Sequence, residues 1–165
     1  MRIRPYIESR DYKYIEKWVG DEKNHALWCA NLIPYPVTKE NLHDFLEKTA
    51  VEWTDSAYVA TDTNGKIIGF FCYSINVDNN TGFLRLVIID HNLRGKGYGK
   101  EMLKLALQYA FEMTGVKLVQ LYVFDENVVA KHCYEQVGFI EESITQNAFI
   151  YKNELWNRCL MIVTK

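Results

Sequence analysis

The stretch His91–Lys100, HNLRGKGYGK, sets three glycines at alternate positions among three cations. It lies between the apolar run LRLVIID and the helical pattern KEMLKLALQYAFEM. A turn from strand to helix gathers unpaired backbone N–H groups and the positive end of the helix dipole at one point, which makes an anion site. Gly95, Gly97 and Gly99 let the main chain approach a bulky ligand in conformations closed to other residues. Arg94, Lys96 and Lys100 add charge, and an Arg grips phosphate oxygens with two parallel hydrogen bonds. Two familiar phosphate loops fail on register. A Walker A match ending at Gly99-Lys100 needs Gly at Arg94 and Ser or Thr at Glu101. The dinucleotide pattern G-x-G-x-x-G meets Lys100 when started at Gly95 and Met102 when started at Gly97. A glycine-rich turn without function is the alternative, but three alternating glycines exceed what a turn requires.

The flanking sequence gives the turn its context. Val87–Ile89 ends an apolar strand, Phe83–Ile89, and a helix is expected over Gly97–Met113, with Met102, Leu103, Ala106, Leu107, Ala110 and Phe111 as its buried stripe and Gly115 as its stop. Leu118–Phe124 then reads as a buried strand, so the helix makes a right-handed crossover between parallel strands. Upstream, the strands Tyr58–Asp62 and Lys66–Ile75 flank the hairpin signal Asn64-Gly65, and Asp78–Gly82 reverses the chain into Phe83. A strand over Ile3–Ile7 precedes a helix over Arg10–Val19, capped by Ser9 and stopped by Gly20. Asp21–Val37 reads as irregular and rich in aromatics. Thr38 caps a helix over Lys39–Lys48. After a short helix over Val128–Gln136, stopped by Gly138, the tail reads as two strands around Lys152-Asn153-Glu154. The expected fold is mixed α/β: a mostly antiparallel sheet with one parallel crossover and helices on both faces.

A chain of 165 residues, 48% hydrophobic and 24% charged, suits one folded domain over residues 1–165. A formal charge of −2 argues against nucleic acid as a partner, although a local basic patch can still hold a phosphate. Cys29, Cys72, Cys133 and Cys159 have neither zinc nor disulfide spacing, and no His/Cys/Asp set has metal-ligand spacing, so no metal is assigned. No window is long enough to cross a bilayer and the first residues lack a signal-peptide core, which makes a membrane role unexpected and the cytoplasm the default location.

Two segments together carry a family resemblance. Arg94-Gly95-Lys96-Gly97-Tyr98-Gly99 matches the Gln/Arg-x-x-Gly-x-Gly/Ala turn of the GNAT N-acetyltransferases. Downstream, DENVVAKHCYEQVGF resembles that family's segment with Asn127, Ala130, Tyr134, Gly138 and Phe139 at its spacing. The resemblance spans the chain and is closest to the branch containing ribosomal-protein and spermidine N-acetyltransferases. It implies that the turn Arg94–Lys100 cradles the pyrophosphate of acetyl-CoA. The main chain of Val87, Ile88 and Ile89 would take the pantetheine arm and offer an N–H to the thioester carbonyl, and Asn127 would lie beside that arm. Tyr134 would give a proton to the leaving sulfur, being protonated at neutral pH with an ordinary phenol pKa of about 10. On its own Tyr134 reads as a core tyrosine, raised only by its offset from Asn127 and Gly138, and Asn127 reads equally as a helix N-cap.

The base is the departure. Some relatives carry a Glu on the strand before the turn, whereas GFLRLVII has Arg85 as its only ionisable residue. Without a base, presenting a lysine-like amine neutral at pH 7 costs roughly 4 to 5 kcal/mol, against about 1 for an α-amino group. Asp125, Glu126, Glu141 and Glu142 are candidate remote carboxylates, or solvated loop charges. His91 and His132 match no catalytic position. Trp28, Tyr35 and Trp18 are candidates to wall the acceptor site. The expected activity is direct acetyl transfer from acetyl-CoA to an amine of a small molecule, peptide or protein N-terminus, with no acyl-enzyme, in a chain whose relatives commonly form homodimers. The alternatives are an acyl-CoA sensor of the same fold without turnover and a nucleic-acid binder using the basic turn.

Overall fold

In the computed structural model, which describes residues 1–165, one seven-stranded sheet carries helices on both faces. The chain runs β1 (Arg2–Pro5), α1 (Glu8–Val19), α2 (Glu22–Cys29), α3 (Lys39–Trp53), β2 (Ser56–Thr61), β3 (Ile67–Asn76) and β4 (Thr81–Ile89). It continues through α4 (Tyr98–Gln108), β5 (Leu118–Phe124), α5 (Val128–Glu135), β6 (Ile140–Tyr151) and β7 (Glu154–Thr164). The sheet order is β1-β2-β3-β4-β5-β7-β6. Every pair is antiparallel except β4–β5, which the α4 crossover makes parallel.

The two faces follow from the period of two along the strands. On one face Met102, Leu103, Ala106 and Leu107 of α4 pack with Ile68, Phe71, Leu84 and Leu121. On the other, Ile15 and Trp18 of α1 and Leu42 and Phe45 of α3 pack with Val59, Phe70, Cys72 and Ile88. β3 is therefore buried on both sides, which is why it reads as a continuous apolar run.

The strands β1, β2 and β4 shift by one or two residues from the expected bounds, and four helical elements differ in ways that have a local cause. α1 begins two residues early, and its N-cap is Ile7, not Ser9. The cause is Asp11, fully buried, whose carboxylate accepts from the Ile7 N–H at 2.8 Å and from both Arg4 Nη atoms at 2.7 and 2.9 Å. Asp11 thus anchors the N-cap residue itself, and no side chain caps the first-turn N–H groups. The supposedly irregular Asp21–Val37 contains α2, capped by the Asp21 side chain on the Asn24 N–H at 2.9 Å. Its weak amphipathicity hid it. α3 runs five residues past Lys48, to Trp53, from a reciprocal cap between Thr38 and Asn41. The helix expected to run to Met113 changes pitch, with Tyr109–Thr114 forming a π turn before Gly115. There the Tyr109 hydroxyl meets Tyr58 Oη at 3.1 Å and Thr114 Oγ1 meets Tyr73 Oη at 2.8 Å.

Replacing Asp11 by Ala removes the acceptor of the Ile7 N–H and the carboxylate partner of Arg4, which is 26% exposed and keeps the Pro5 carbonyl. The expected loss is about 1.5 to 3 kcal/mol, the scale for hydrogen bonds to a charged group, read as a lower urea midpoint with an unchanged slope.

Candidate active site

The site begins where β4 parts from β5. Their parallel ladder ends at the pair Leu84 and Leu121, while β5 continues to Phe124 against β7. On its other side β4 shifts register against β3, with Cys72 opposite Arg85 but Phe70 opposite Ile88. One extra residue is thus inserted in β4, a β-bulge, and Leu86 takes a left-handed conformation with φ 51°. The result is a slot through the sheet and a cavity of about 740 Å³. Val87, Ile88 and Ile89 line it, and beyond Leu84 the side of β4 that faces β5 has no ladder partner.

α4 points its N-terminus at this slot. Gly95 and Gly97 have φ of 74° and 86°, with open space where a Cβ would stand, so they supply conformation, not clearance. A Cβ on Gly99 would lie 3.2 Å from Cys133 Sγ, so Gly99 lets α4 approach α5. No protein group accepts from the N–H groups of Gly95, Gly97, Tyr98, Gly99 or Lys100, and no side chain caps α4. Arg94 and Lys100 line the cavity. Lys96 does not: its Nζ donates to Asn92 O at 3.0 Å. Tyr98 packs against the α4-side core.

α5 forms the far wall. Asn127 caps it, its Oδ1 accepting from the Ala130 N–H at 3.3 Å, and it also lines the cavity. Tyr134 is buried edge-on to Phe139 and lines the cavity, and its hydroxyl has no hydrogen-bond partner in the protein. Burial pushes its phenol well above the usual tyrosine range, with the neighbouring Cys133 adding to the shift, so the group is protonated at neutral pH.

Opposite α5 the wall, where the sequence places an acceptor site, is Val19 with Asn24, Leu27 and Trp28 of α2. Of the three aromatics expected there, only Trp28 lines the cavity. Trp18 is core, and Tyr35 packs on His25 at 5.3 Å between ring centroids. Asn24 and Leu27 were missed because α2 was; the Asp21/Asn24 spacing was the available signal. α2 is tied to the β6–β7 hairpin by two exposed ion pairs, Lys23–Glu154 at 2.8 Å and Lys152–Glu22 at 3.0 Å.

Beneath Trp28, Cys29 Sγ lies 3.3 Å from His25 Nε2, and His25 Nδ1 lies 3.2 Å from Asn31 Oδ1. This resembles a thiol protease constellation in outline only. Burial raises the thiol's pKa and lowers the imidazole's, so both are neutral, and the cavity is not lined by Cys29.

Glu126 is the one carboxylate lining the cavity. Asp125 is engaged by Asn157, accepting from its N–H at 3.0 Å and its Nδ2 at 2.7 Å. Glu141 is paired with Lys131, and Glu142 is exposed on β6. No group of three or more His, Cys, Asp or Glu is placed to hold a metal. No helix is long and apolar enough to cross a membrane.

Comparison with known proteins gives the arrangement its family. The acetyltransferase (GNAT) family model matches residues 10–139. The chain belongs to the GNAT family. A spermidine N(1)-acetyltransferase of Vibrio cholerae is 26% identical over 137 residues, covering 82% of this chain and 77% of that protein. A spermine/spermidine N(1)-acetyltransferase of Bacillus subtilis is 35% identical over 81 residues, or 46% and 53% of the two chains. The GNAT fold is shared with the Vibrio cholerae spermidine N-acetyltransferase solved with CoA and spermine. The TM-score is 0.83 at 22% identity, over 99% of this chain and 94% of that one. As a GNAT acetyltransferase the chain is an enzyme, with acetyl-CoA as its acyl donor.

The free N–H groups at the mouth of α4 and the cations Arg94 and Lys100 fit a diphosphate. Gly97→Val forces a β-branched residue into the left-handed region, at a cost of about 1 to 3 kcal/mol. Calorimetric titration with CoA is expected to show binding weakened by roughly tenfold or more, and the same strain is expected to lower the melting temperature of the free protein by about 2 to 12 °C.

Proposed function

We propose that the protein moves the acetyl group of acetyl-CoA directly to the primary amine of a small cationic acceptor, with polyamines the first class to test. The observation that carries this reading is the Tyr134 hydroxyl, protonated, unpartnered and facing the slot whose other edge is the open main chain of β4. Bound acetyl-CoA supplies an acyl thioester. The glycine turn and the N-terminus of α4 would hold its diphosphate, and the main chain of Val87–Ile89 would align the arm and donate an N–H to the carbonyl oxygen as charge develops there. Tyr134 would deliver a proton to the departing sulfur.

The acceptor would enter past Asn24, Leu27 and Trp28. With no acidic side chain on β4, its proton would leave through water toward Glu126. The names of the relatives support the polyamine class, and the acidic character of Glu126 at the cleft accords with it. The neutral His25–Cys29 pair supports direct transfer over an acyl-enzyme. A cytoplasmic location accords with four free thiols.

The test is release of free thiol from acetyl-CoA with polyamines, amino sugars, aminoglycosides and peptides bearing free N-termini. Turnover with none of them would leave the sensor reading in its place. Tyr134→Phe is expected to lower kcat by about 10² to 10⁴ while leaving CoA affinity unchanged, and equal kcat would remove Tyr134 from the chemistry. The pH profile has a definite sign. The rate rises as the amine deprotonates, and because the Tyr134 pKa is raised, no loss of rate is expected on approaching the ordinary phenol value of about 10.

A further inference from the structure

Arg85 stands at two transitions at once. It is the last residue of β4 in register with β3 before the bulge, opposite Cys72, and the first beyond the β4–β5 ladder. The next residue is the left-handed Leu86. The side chain, 23% exposed, reaches the cavity's edge, but its guanidinium is engaged inside the fold. Its Nη1 donates to Asp55 Oδ1 at 2.5 Å and to Ser74 Oγ at 2.7 Å, and its plane lies over the rings of Trp53 and Phe83, 4.7 and 4.2 Å from their centroids. Asp55 precedes β2, Ser74 is on β3, and Trp53 ends α3. Three elements and the loop between α3 and β2 are thus tied together at the residue where β4 leaves its neighbour.

The chemistry of this cluster argues for position more than for stability. Asp55 is buried, and its Oδ2 has no hydrogen-bond partner. A buried ion pair with an unsatisfied oxygen gains little or nothing over an apolar pair of the same shape. A leucine in the left-handed region, in turn, persists only where its surroundings over-determine it.

We propose that the Arg85–Asp55–Ser74 cluster is a latch that holds the β4 bulge and thereby aims the open main chain of Val87–Ile89 into the cleft. Arg85 is then a positioning residue that acts through the backbone beside it. The catalytic half of the proposal rests on the acetyltransferase reading; the structural half does not.

The test uses Asp55→Asn with Arg85→Met, a double variant that leaves no orphaned charge, and Arg85→Lys, which keeps a cation for Asp55. Two readouts are taken: hydrogen exchange of the Leu86–Ile89 amides in the free protein, and kcat and KM for acetyl-CoA. In the double variant exchange is expected to speed up by about tenfold or more, while the melting temperature falls only a few degrees. Its kcat is expected to fall by about a hundredfold, the scale of losing one oxyanion donor, with a smaller rise in KM for acetyl-CoA, because the arm's contacts with Val87–Ile89 loosen while the glycine turn is untouched. Arg85→Lys should lie between wild type and the double variant on both readouts, and it decides the matter if the double variant does not fold. Wild-type exchange overturns the latch, and faster exchange with wild-type kcat overturns its catalytic role. If the wild type acetylates no amine, the exchange readout still tests the latch, and only the proposed function fails.

Discussion

One leucine in a left-handed conformation governs this molecule. β4 must stay paired with β3, which is buried on both faces, and must also separate from β5, which β7 holds straight. A single inserted residue at Leu86 satisfies both demands. The crossover helix α4 starts from the end of the strand that bends away, and α5 starts from the end of the strand that does not. The two helices therefore flank the slot, one presenting N–H groups and the other a phenol. The cleft results from the sheet's own geometry and is not a loop laid over it.

The electrostatics of the cleft are mostly those of the main chain. Unpaired amides at the mouth of α4 and along β4 have fixed positions and cost no reorganisation when charge appears nearby. Side chains play a smaller part: Arg94 and Lys100 supply charge, and Lys96, equally cationic and in the same turn, is folded onto Asn92. Burial does the opposite of activating the thiols. Cys29, Cys72, Cys133 and Cys159 all have raised pKa values, chiefly from desolvation, so each is held as the neutral thiol at neutral pH.

What could be read in advance was whatever a residue type settles locally. Gly95 and Gly97 occupy left-handed positions that few other residues tolerate, so the turn announced itself. Leu118–Phe124 is the strand as expected, because a buried parallel strand is apolar throughout. The bulge was invisible, since Leu86 looks like any strand leucine. The meeting of Arg85 with Asp55 was equally hidden, as it joins positions 30 residues apart. α2 failed for another reason. Its buried side is His25, Ala26 and Cys29, which carries almost no apolar periodicity, and so the Asn24 and Leu27 wall was lost with it. The π turn at Tyr109–Thr114 answers to hydroxyls on β2 and β3, which no local pattern encodes.

The bridges Lys23–Glu154 and Lys152–Glu22 join α2 to the β6–β7 hairpin through side chains that are about half exposed. Ions screen such contacts over about 8 Å at physiological strength and more tightly in brine, whereas the apolar seat of α1 and α3 is indifferent to them. The α2 wall is accordingly a part of the cleft whose stiffness the surrounding electrolyte can tune.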